Sequence, residues 1–331
     1  MASLRIGRWV TAVAVALCGI ALGGVAWSNP HHAYILFVEP GSLIPYVQEV
    51  SVDPRPGPTL TLQGSNTGFC EISAFAIGPQ GNLYVSGYFG SNCQSAFTGI
   101  EVFAPGANGN AAPIATLAGT RTLLQIPNGM AFDSSGRLYV TQSNGAGHGG
   151  AQIDIFAAGA SGNVAPVGVI VGRNTQLGGK RLSYVAVDEA GEIFAAGGAG
   201  RSSILTFPAG ANGNVAPVAT KQIQSRNGFF ELQASGNTVY AAVGVLKETI
   251  PTVYELSASN LAQIGAITDH RFAILHADVD ASGKVYVQDV NRTGNDSLRM
   301  RLFEYEPGQQ QPSRVRSDGV SEGGGYVVLG P

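Results

Sequence analysis

One strand is written five times in this chain: GNLYVSG (81–87), GRLYVTQ (136–142), GEIFAAG (191–197), GNTVYAA (236–242) and GKVYVQD (283–289). The aromatic residues of these copies are Tyr84, Tyr139, Phe194, Tyr240 and Tyr286, spaced 55, 55, 46 and 46 residues apart. A period of that size, holding several short strands per repeat, predicts a β-propeller. In such a ring each repeat is a four-stranded antiparallel meander, with strand A innermost and strand D outermost.

The second repeat shows the register best. Strand A is predicted over 127–133 (PNGMAFD), strand B over 138–142, strand C over 153–157 and strand D over 167–171. The A–B turn, Asp-Ser-Ser-Gly, suits an Asp that binds its own backbone and a Gly at positive φ. A long polar loop, 143–150, joins B to C. The C–D turn recurs as GANGNAAP (106–113), GASGNVAP (159–166) and GANGNVAP (210–217). It reads as a duplicated turn, with Pro placed where an outer edge strand can do without an N–H.

The chain ends bear on the number of blades. One more step of 46 from Tyr286 falls just past residue 331, so the C-terminus supplies only a strand A, over 325–329. PTLTLQG (58–64) matches PIATLAG (113–119) at an offset of 55 and reads as a strand D. Before it, 46–52 fits strand C and 33–38 fits strand B. The expectation is an all-β, six-bladed propeller over 33–331, closed by one C-terminal strand and three N-terminal strands. Five blades is the alternative, if 33–64 packs outside the ring.

Composition suits this architecture: 46 glycines and only 12% charged residues, against roughly 25% in an average domain. The net charge of −3 argues against a nucleic-acid partner, which calls for a basic face. Residues 1–28 read as a secretory signal. Arg5 and Arg8 precede an apolar stretch over 10–25, and Ala26 and Ser28 set a small-x-small site before Asn29. An uncleaved membrane anchor is the alternative. Leu17 before Cys18 argues against lipidation. Export permits a disulfide, and the repeat alignment puts Cys70 and Cys93 at the same end of one blade, so a bond between them is expected.

The pattern Pro-Asn-Gly, two apolar residues, Asp-x-x-Gly-x-apolar-Tyr-Val over 127–140, followed by an aromatic strand and the G-A-x-G-N-x-A-P turn, resembles the NHL-repeat family of six-bladed propellers. That resemblance spans nearly all of 33–331. It implies the fold, and for members outside the cell either an interaction module or an enzyme. A weaker resemblance is to the gluconolactonase and senescence-marker-protein family, six-bladed lactone hydrolases with one divalent metal at the channel mouth. There it implies Glu71 and Asn128 as ligands. Ser183-Tyr184 stand where that family often has Asp-Gly, and Gln142 where it often has Asp.

The D–A and B–C connections of a propeller share one face, and the A–B and C–D turns share the other. Asp133, Asp188 and Asp280 are therefore read as turn caps. The D–A/B–C face collects Glu71, Asn128, Arg226, Asn227, Glu231, His276, Asn144, His148, Asp289 and Asn291. A hard cation such as Ca²⁺ or another divalent ion takes six to eight oxygens, which Glu71, Asn128, Asn227 and Asp289 would begin to supply. The segment SGYFGSNCQSAFTG (86–99) reads as a B–C loop whose Tyr88, Phe89 and Phe97 offer aromatic contact area. No Ser-His-Asp or Cys-His signature, phosphate-binding loop or dinucleotide fingerprint is written in the sequence. The favoured reading is an exported, non-catalytic propeller binding a protein, glycan or small molecule on that face. The alternative is a metal-dependent lactonase or esterase.

Overall fold

The computed structural model describes residues 32–38, 45–51, 60–91, 93–143, 150–178, 182–197, 202–223, 229–243, 252–268, 274–280, 282–293, 297–318 and 326–330. The predicted signal segment, 1–28, lies outside them. Among the described residues the only helices are short 3-10 turns, and none is long and apolar enough to cross a membrane.

The strands run β1 (His32–Val38), β2 (Pro45–Ser51) and β3 (Leu60–Leu62), then β4 (Phe69–Ile77), β5 (Leu83–Phe89), β6 (Phe97–Phe103) and β7 (Ala115–Ala118). The second repeat supplies β8 (Pro127–Phe132), β9 (Leu138–Gln142), β10 (Gln152–Phe156) and β11 (Gly168–Ile170). The third supplies β12 (Leu182–Val187), β13 (Ile193–Gly197), β14 (Ser202–Phe207) and β15 (Ala219–Ile223). Then follow β16 (Phe229–Ser235), β17 (Thr238–Val243), β18 (Thr252–Ser257) and β19 (Gln263–Thr268). Last are β20 (Ile274–Val279), β21 (Val285–Thr293), β22 (Ser297–Tyr305), β23 (Arg314–Asp318) and β24 (Tyr326–Gly330).

These strands make a β-propeller. Five four-stranded antiparallel sheets are each built from consecutive strands, β4–β7 through β20–β23. A further four-stranded sheet has the order β24-β1-β2-β3. In it the C-terminal strand pairs with the N-terminal one, from His32 opposite Gly330 to Leu36 opposite Tyr326. Each innermost strand neighbours the next, in the order β4, β8, β12, β16, β20, β24 and back to β4.

Alternation along the strands explains the core. Successive side chains leave opposite faces of a sheet, so each meander feeds two apolar layers. Ile193 and Ala195 of β13 join Tyr139, Ile153 and Ile155 of the second repeat. Phe194, between them, joins Leu232 and Val239 of the fourth. Tyr240 in turn meets Val285 and Phe303 of the fifth. No sheet buries both faces by itself.

The repeated A–B turn depends on its Asp. The Asp133 carboxylate accepts from the backbone N–H of Ser135 (2.9 Å) and Arg137 (3.0 Å), from Ser135 Oγ (2.6 Å) and Arg137 Nε (2.6 Å), and from the Tyr139 hydroxyl (3.1 Å). Asp280 does the same with Ser282, Lys284 and Tyr286. Asp188 accepts from Glu192 N–H at 2.8 Å. The motif thus ties the turn to the aromatic residue of strand B. Burial works against the charged form of Asp133, but the Ser135 and Arg137 hydrogen bonds outweigh it and hold the carboxyl below its ordinary range.

The C–D turns do more than reverse the chain. Each reaches the outer strand of the preceding sheet, where Gly109, Gly162 and Gly213 form parallel bridges with Leu62, Leu117 and Ile170. Gly109 N–H donates to Thr61 O (2.8 Å), Gly162 N–H to Thr116 O (2.7 Å) and Gly213 N–H to Val169 O (2.8 Å). The last Asn of each turn then caps the 3-10 turn that follows that outer strand. Asn110, Asn163 and Asn214 accept through Oδ1 from the N–H of Asn66 (2.6 Å), Arg121 (2.8 Å) and Asn174 (2.7 Å). A glycine opens every such 3-10 turn, at φ 129° (Gly64), 119° (Gly119) and 120° (Gly172). A Cβ there would lie within 2.4–2.6 Å of the Asn amide, so the amide occupies the place of a side chain. The expectation of a duplicated turn therefore holds in sequence but understates its work as a clasp between sheets.

The clasp is incomplete at one point. Asn108 and Asn212 also accept from Thr61 N–H and Val169 N–H, each at 2.9 Å, and the equivalent residue of the middle turn is Ser161. Ser161→Asn should supply the corresponding bond to Thr116 N–H. One added hydrogen bond of about 1 kcal/mol should raise Tm by about 2–4 °C. Asn163→Ala should lower it by at least as much. Calorimetry of both variants checks this, and an unchanged or lower Tm for Ser161→Asn contradicts it.

Candidate functional site

The first repeat departs from the second at one end, and in the fifth the strand B–strand C pairing runs further still, to Thr293 opposite Ser297. In the second repeat the strand B–strand C pairing ends at Gln142 opposite Gln152. The equivalent pair in the first repeat is Gly87 opposite Gly99, and two further pairs follow, Tyr88 with Thr98 and Phe89 with Phe97. Segment 86–99, predicted as a loop, is therefore mostly a hairpin, its pairing two pairs longer than in the second repeat. Its glycines, serines and asparagine gave it the composition of a loop, yet β4 also lengthens to pair with it, Glu71 opposite Tyr88 and Phe69 opposite Phe89. The tip is a 3-10 turn, Cys93–Ser95. Cys93 is bonded to Cys70 as expected, with Cα atoms 5.3 Å apart, so the tip is stapled to the base of β4.

The three aromatics named for contact separate: Phe89 and Phe97 are cross-strand partners on one face of the hairpin, and Tyr88 lies on the other. Phe97 is 41% exposed and Tyr88 is half-buried. Phe89 is fully buried, with ring centroids 6.2 Å from Phe69 and 5.9 Å from Phe97. Its placement on a contact surface is corrected: it is buried against Phe69 and packs beside Phe97, its cross-strand partner.

The second repeat meets the same need with side chains. Gln142 Oε1 accepts from Gln125 N–H (2.6 Å) and Ile126 N–H (3.3 Å), and its Nε2 donates to Leu123 O (3.0 Å) and to Asp154. Gln152 Nε2 donates to the other Asp154 oxygen at 2.7 Å. Gln142 thus pins the D–A connection that β4 and β5 hold by backbone pairing in the first repeat. No charged group lies among the causes acting on Asp154; burial pushes its carboxyl up to about 7, against the two amide hydrogen bonds.

The metal candidates are not brought to equivalent places. The inner strands β4, β8, β12, β16 and β20 carry a bulge against strand B, and by register the extra residue at the matching place is Ser73 in β4, Asn128 in β8 and Ser183 in β12. Asn128 therefore matches Ser73, while Glu71 stands two residues earlier, exposed. The Asn128 side chain is buried, and its Nδ2 donates to Ser143 Oγ (2.5 Å) and to Leu182 O (3.1 Å) on the next sheet. Asn227 lies outside the described residues, as do Arg226, Asn144 and His148. Asp289 stands in β21 opposite Ile274, and His276 opposite Gln288. Among the described residues no group of three His, Cys, Asp or Glu side chains is set to hold a metal.

A different pair stands out on the inner strands. The residue after the bulge, and the one two further on, are Ala74 and Ala76, Gly129 and Ala131, and Tyr184 and Ala186 in the first three repeats. In the fourth they are Glu231 and Gln233, and in the fifth His276 and Asp278. Glu231, Gln233 and Asp278 are all buried. Glu231 Oε1 accepts from Leu232 N–H (3.2 Å), and Asp278 Oδ1 from Val279 N–H (2.8 Å). Burial and the like charge of Asp278 hold the Glu231 carboxyl well above the usual carboxylate range. Two such acids on adjacent strands can hold and pass a proton. Asp278 was not singled out in the sequence. The signal was available in the Ala/Gly positions it replaces, once the bulges are aligned.

No protein-family model matches the chain, and no curated protein matches it. Solved structures do. The chain is similar to the PQQ-bound form of an aldose sugar dehydrogenase from Streptomyces coelicolor, at 15% identity and TM-score 0.50, over 85% of this chain and 95% of that one. It is similar to a chain of a mitotic checkpoint complex at 12% identity and TM-score 0.51, over 88% and 81%. It is also similar to the WD40 β-propeller domain of Doa1 at 12% identity and TM-score 0.47, over 84% and 80%. At these identities the likeness is one of fold.

The Asp154 network has a pH signature. Its raised pKa means the folded state holds a proton that the unfolded chain releases, so its contribution falls as pH rises from about 4 to about 7. Asp154→Asn should gain on the wild type as pH rises from 5 to 8. Denaturant unfolding at both values measures the difference, and a pH-independent gap contradicts the assignment.

Proposed function

We propose that this chain is an exported, six-bladed, NHL-like propeller that binds a partner through its D–A/B–C face, with the first-repeat hairpin as the contact. The carrying observation is that hairpin. Its strand pairing runs two residue pairs beyond the second repeat's, it is stapled by Cys70–Cys93, and it exposes Phe97 beside its buried cross-strand partner Phe89. Rigid exposed aromatics bring contact area at low entropy cost, which suits the apolar face of a protein or the ring face of a glycan. The sheet β24-β1-β2-β3 acts in this reading as the sixth blade. The disulfide favours an oxidising compartment, in keeping with residues 1–28 as a secretory signal. Tyr88→Ala with Phe97→Ala should leave the fold intact and weaken binding at least tenfold, about 1.4 kcal/mol. Glycan arrays and capture from the secreted fraction, wild type against variant, measure it. A ligand held equally by both contradicts the reading.

A second reading is supported by Glu231 and Asp278: a lactonase- or esterase-type hydrolase with a divalent ion at the channel mouth. Glu71, Asn128, Asn227 and Asp289 stand as the ligands in that reading. A metal that binds only the folded state raises the unfolding midpoint by mass action. After chelation, added Ca²⁺, Mg²⁺, Mn²⁺ or Zn²⁺ should then raise Tm, and Glu71→Gln should abolish the rise. No shift with any of the four contradicts this second reading and leaves the first intact.

A further inference from the structure

Glu101 on β6 is the structural equivalent of Asp154, since each faces the central Val of strand B, Val85 and Val140. The two are treated differently. Asp154 is gripped by Gln142 and Gln152, whereas the matching residues in the first repeat are Gly87 and Gly99. Neither can donate from a side chain. Glu101 is 5% exposed, and its Oε2 is buried without a hydrogen-bond partner.

The carboxyl sits at the hinge of the hairpin. A Cβ on Gly68 would be 3.4 Å from Oε1, 3.5 Å from Oε2 and 3.6 Å from Gly90 N. Gly68 and Gly90 are joined by a hydrogen bond from Gly90 N–H to Gly68 O at 2.9 Å. Gly90 O in turn lies 3.9 Å from Cys70 Sγ of the disulfide. The acid therefore underlies the residues that fasten the hairpin tip.

We propose that Glu101 is a proton-operated latch: neutral, it holds the hairpin tip closed, and ionised, it releases the Gly68–Gly90 fastening and frees residues 88–97. This rests on the hairpin being the binding surface, and adds that binding there is pH-gated. The physical reason is that an unpaired charge in an apolar layer is costly, and local opening to water relieves it. Nothing described on the elements around Glu101 would neutralise it. β5 offers Val85 and Gly87, β7 offers Thr116 opposite, and the segment before β4 offers Gly68. From the β24-β1-β2-β3 sheet, Val47 and Leu62 join the same apolar layer, and the titratable but uncharged Tyr46 of β2 packs against it. The titratable Glu71 and Tyr88 stand opposite each other in the β4–β5 register, and strand parity puts Tyr88 on the opposite face of β5 from Val85. Burial alone pushes the Glu101 carboxyl up to about 7, within the range that compartments and secretions span. A raised acid pKa favours the closed state at low pH and progressively less as pH climbs from about 4.5 to about 7.

Hydrogen exchange of the full chain, corrected for the chemical rate at each pH, tests this without a ligand. Protection of residues 88–97 should fall at least tenfold between pH 5.5 and 8.5 in the wild type. In Glu101→Gln it should stay constant, while Asp154→Asn should retain the fall. Constant protection in the wild type overturns the latch whether or not the Gln variant folds, and a fall that persists in Glu101→Gln overturns it equally. Because no partner is used, a failed latch leaves the binding reading standing, and a failed binding assay leaves the latch to be judged by exchange alone.

Discussion

Every blade of this molecule is a thin sheet with two apolar faces and an open outer edge, and only its neighbours can cover it. Alternating residues on a single strand, such as Phe194 between Ile193 and Ala195, serve two different apolar layers. Dependence of each sheet on the next makes closure of the ring the condition for the rest. Two devices meet that condition. Apolar side chains fill the layers, and the recurrent C–D turns add parallel bridges and Asn caps from one sheet to the strand before it. The turn of the first repeat makes these contacts with Leu62 and Asn66. The N-terminal strands are thereby held to β4–β7 in the same way that the second and third repeats are held to their predecessors.

Much of this was legible. Strand B of the second repeat was placed at its observed bounds, and its other strands within a residue or two, because period-two apolar runs between Gly and Asp turns leave little freedom of register. The Asp caps and the Cys70–Cys93 bond were also readable. What was not readable depends on neighbours. Asn110, Asn163 and Asn214 look like ordinary turn residues until the preceding sheet is present to receive them. The hairpin of 86–99 looked like a loop because its Gly-, Ser- and Cys-rich composition says nothing of the backbone pairing offered by a lengthened β4. Glu71 and Asn128 seemed to match because each opens a strand, but the bulges at Ser73 and Asn128 set them two residues apart.

Repetition makes the departures informative. Where the second repeat uses Gln142, Asp154 and Gln152 to hold a connection, the first uses extra backbone pairs, a disulfide and the isolated acid Glu101. Where three repeats put Ala, Gly or Tyr at two inner-strand positions, the fourth and fifth put Glu231, Gln233 and Asp278 there. A duplicated scaffold has no structural need for these exceptions, and both sets of polar groups carry a desolvation cost that apolar residues would avoid. The exposed Phe97 and its stapled support belong to the first set, which is why the binding reading is preferred.

Closure is open to a direct measurement. A chain ending at Gly325 lacks β24, and with it the backbone pairing to β1 from His32 to Leu36. Calorimetric unfolding of that chain against the full one is the test. If the ring depends on this pairing, the truncated chain should lose its single cooperative transition or melt at least 10 °C lower, since both the inner β1 edge and the faces of β4 and β20 are uncovered. A transition of unchanged midpoint and enthalpy would contradict closure by these strands, and would mean that the five sheets of consecutive strands are stable as an open array.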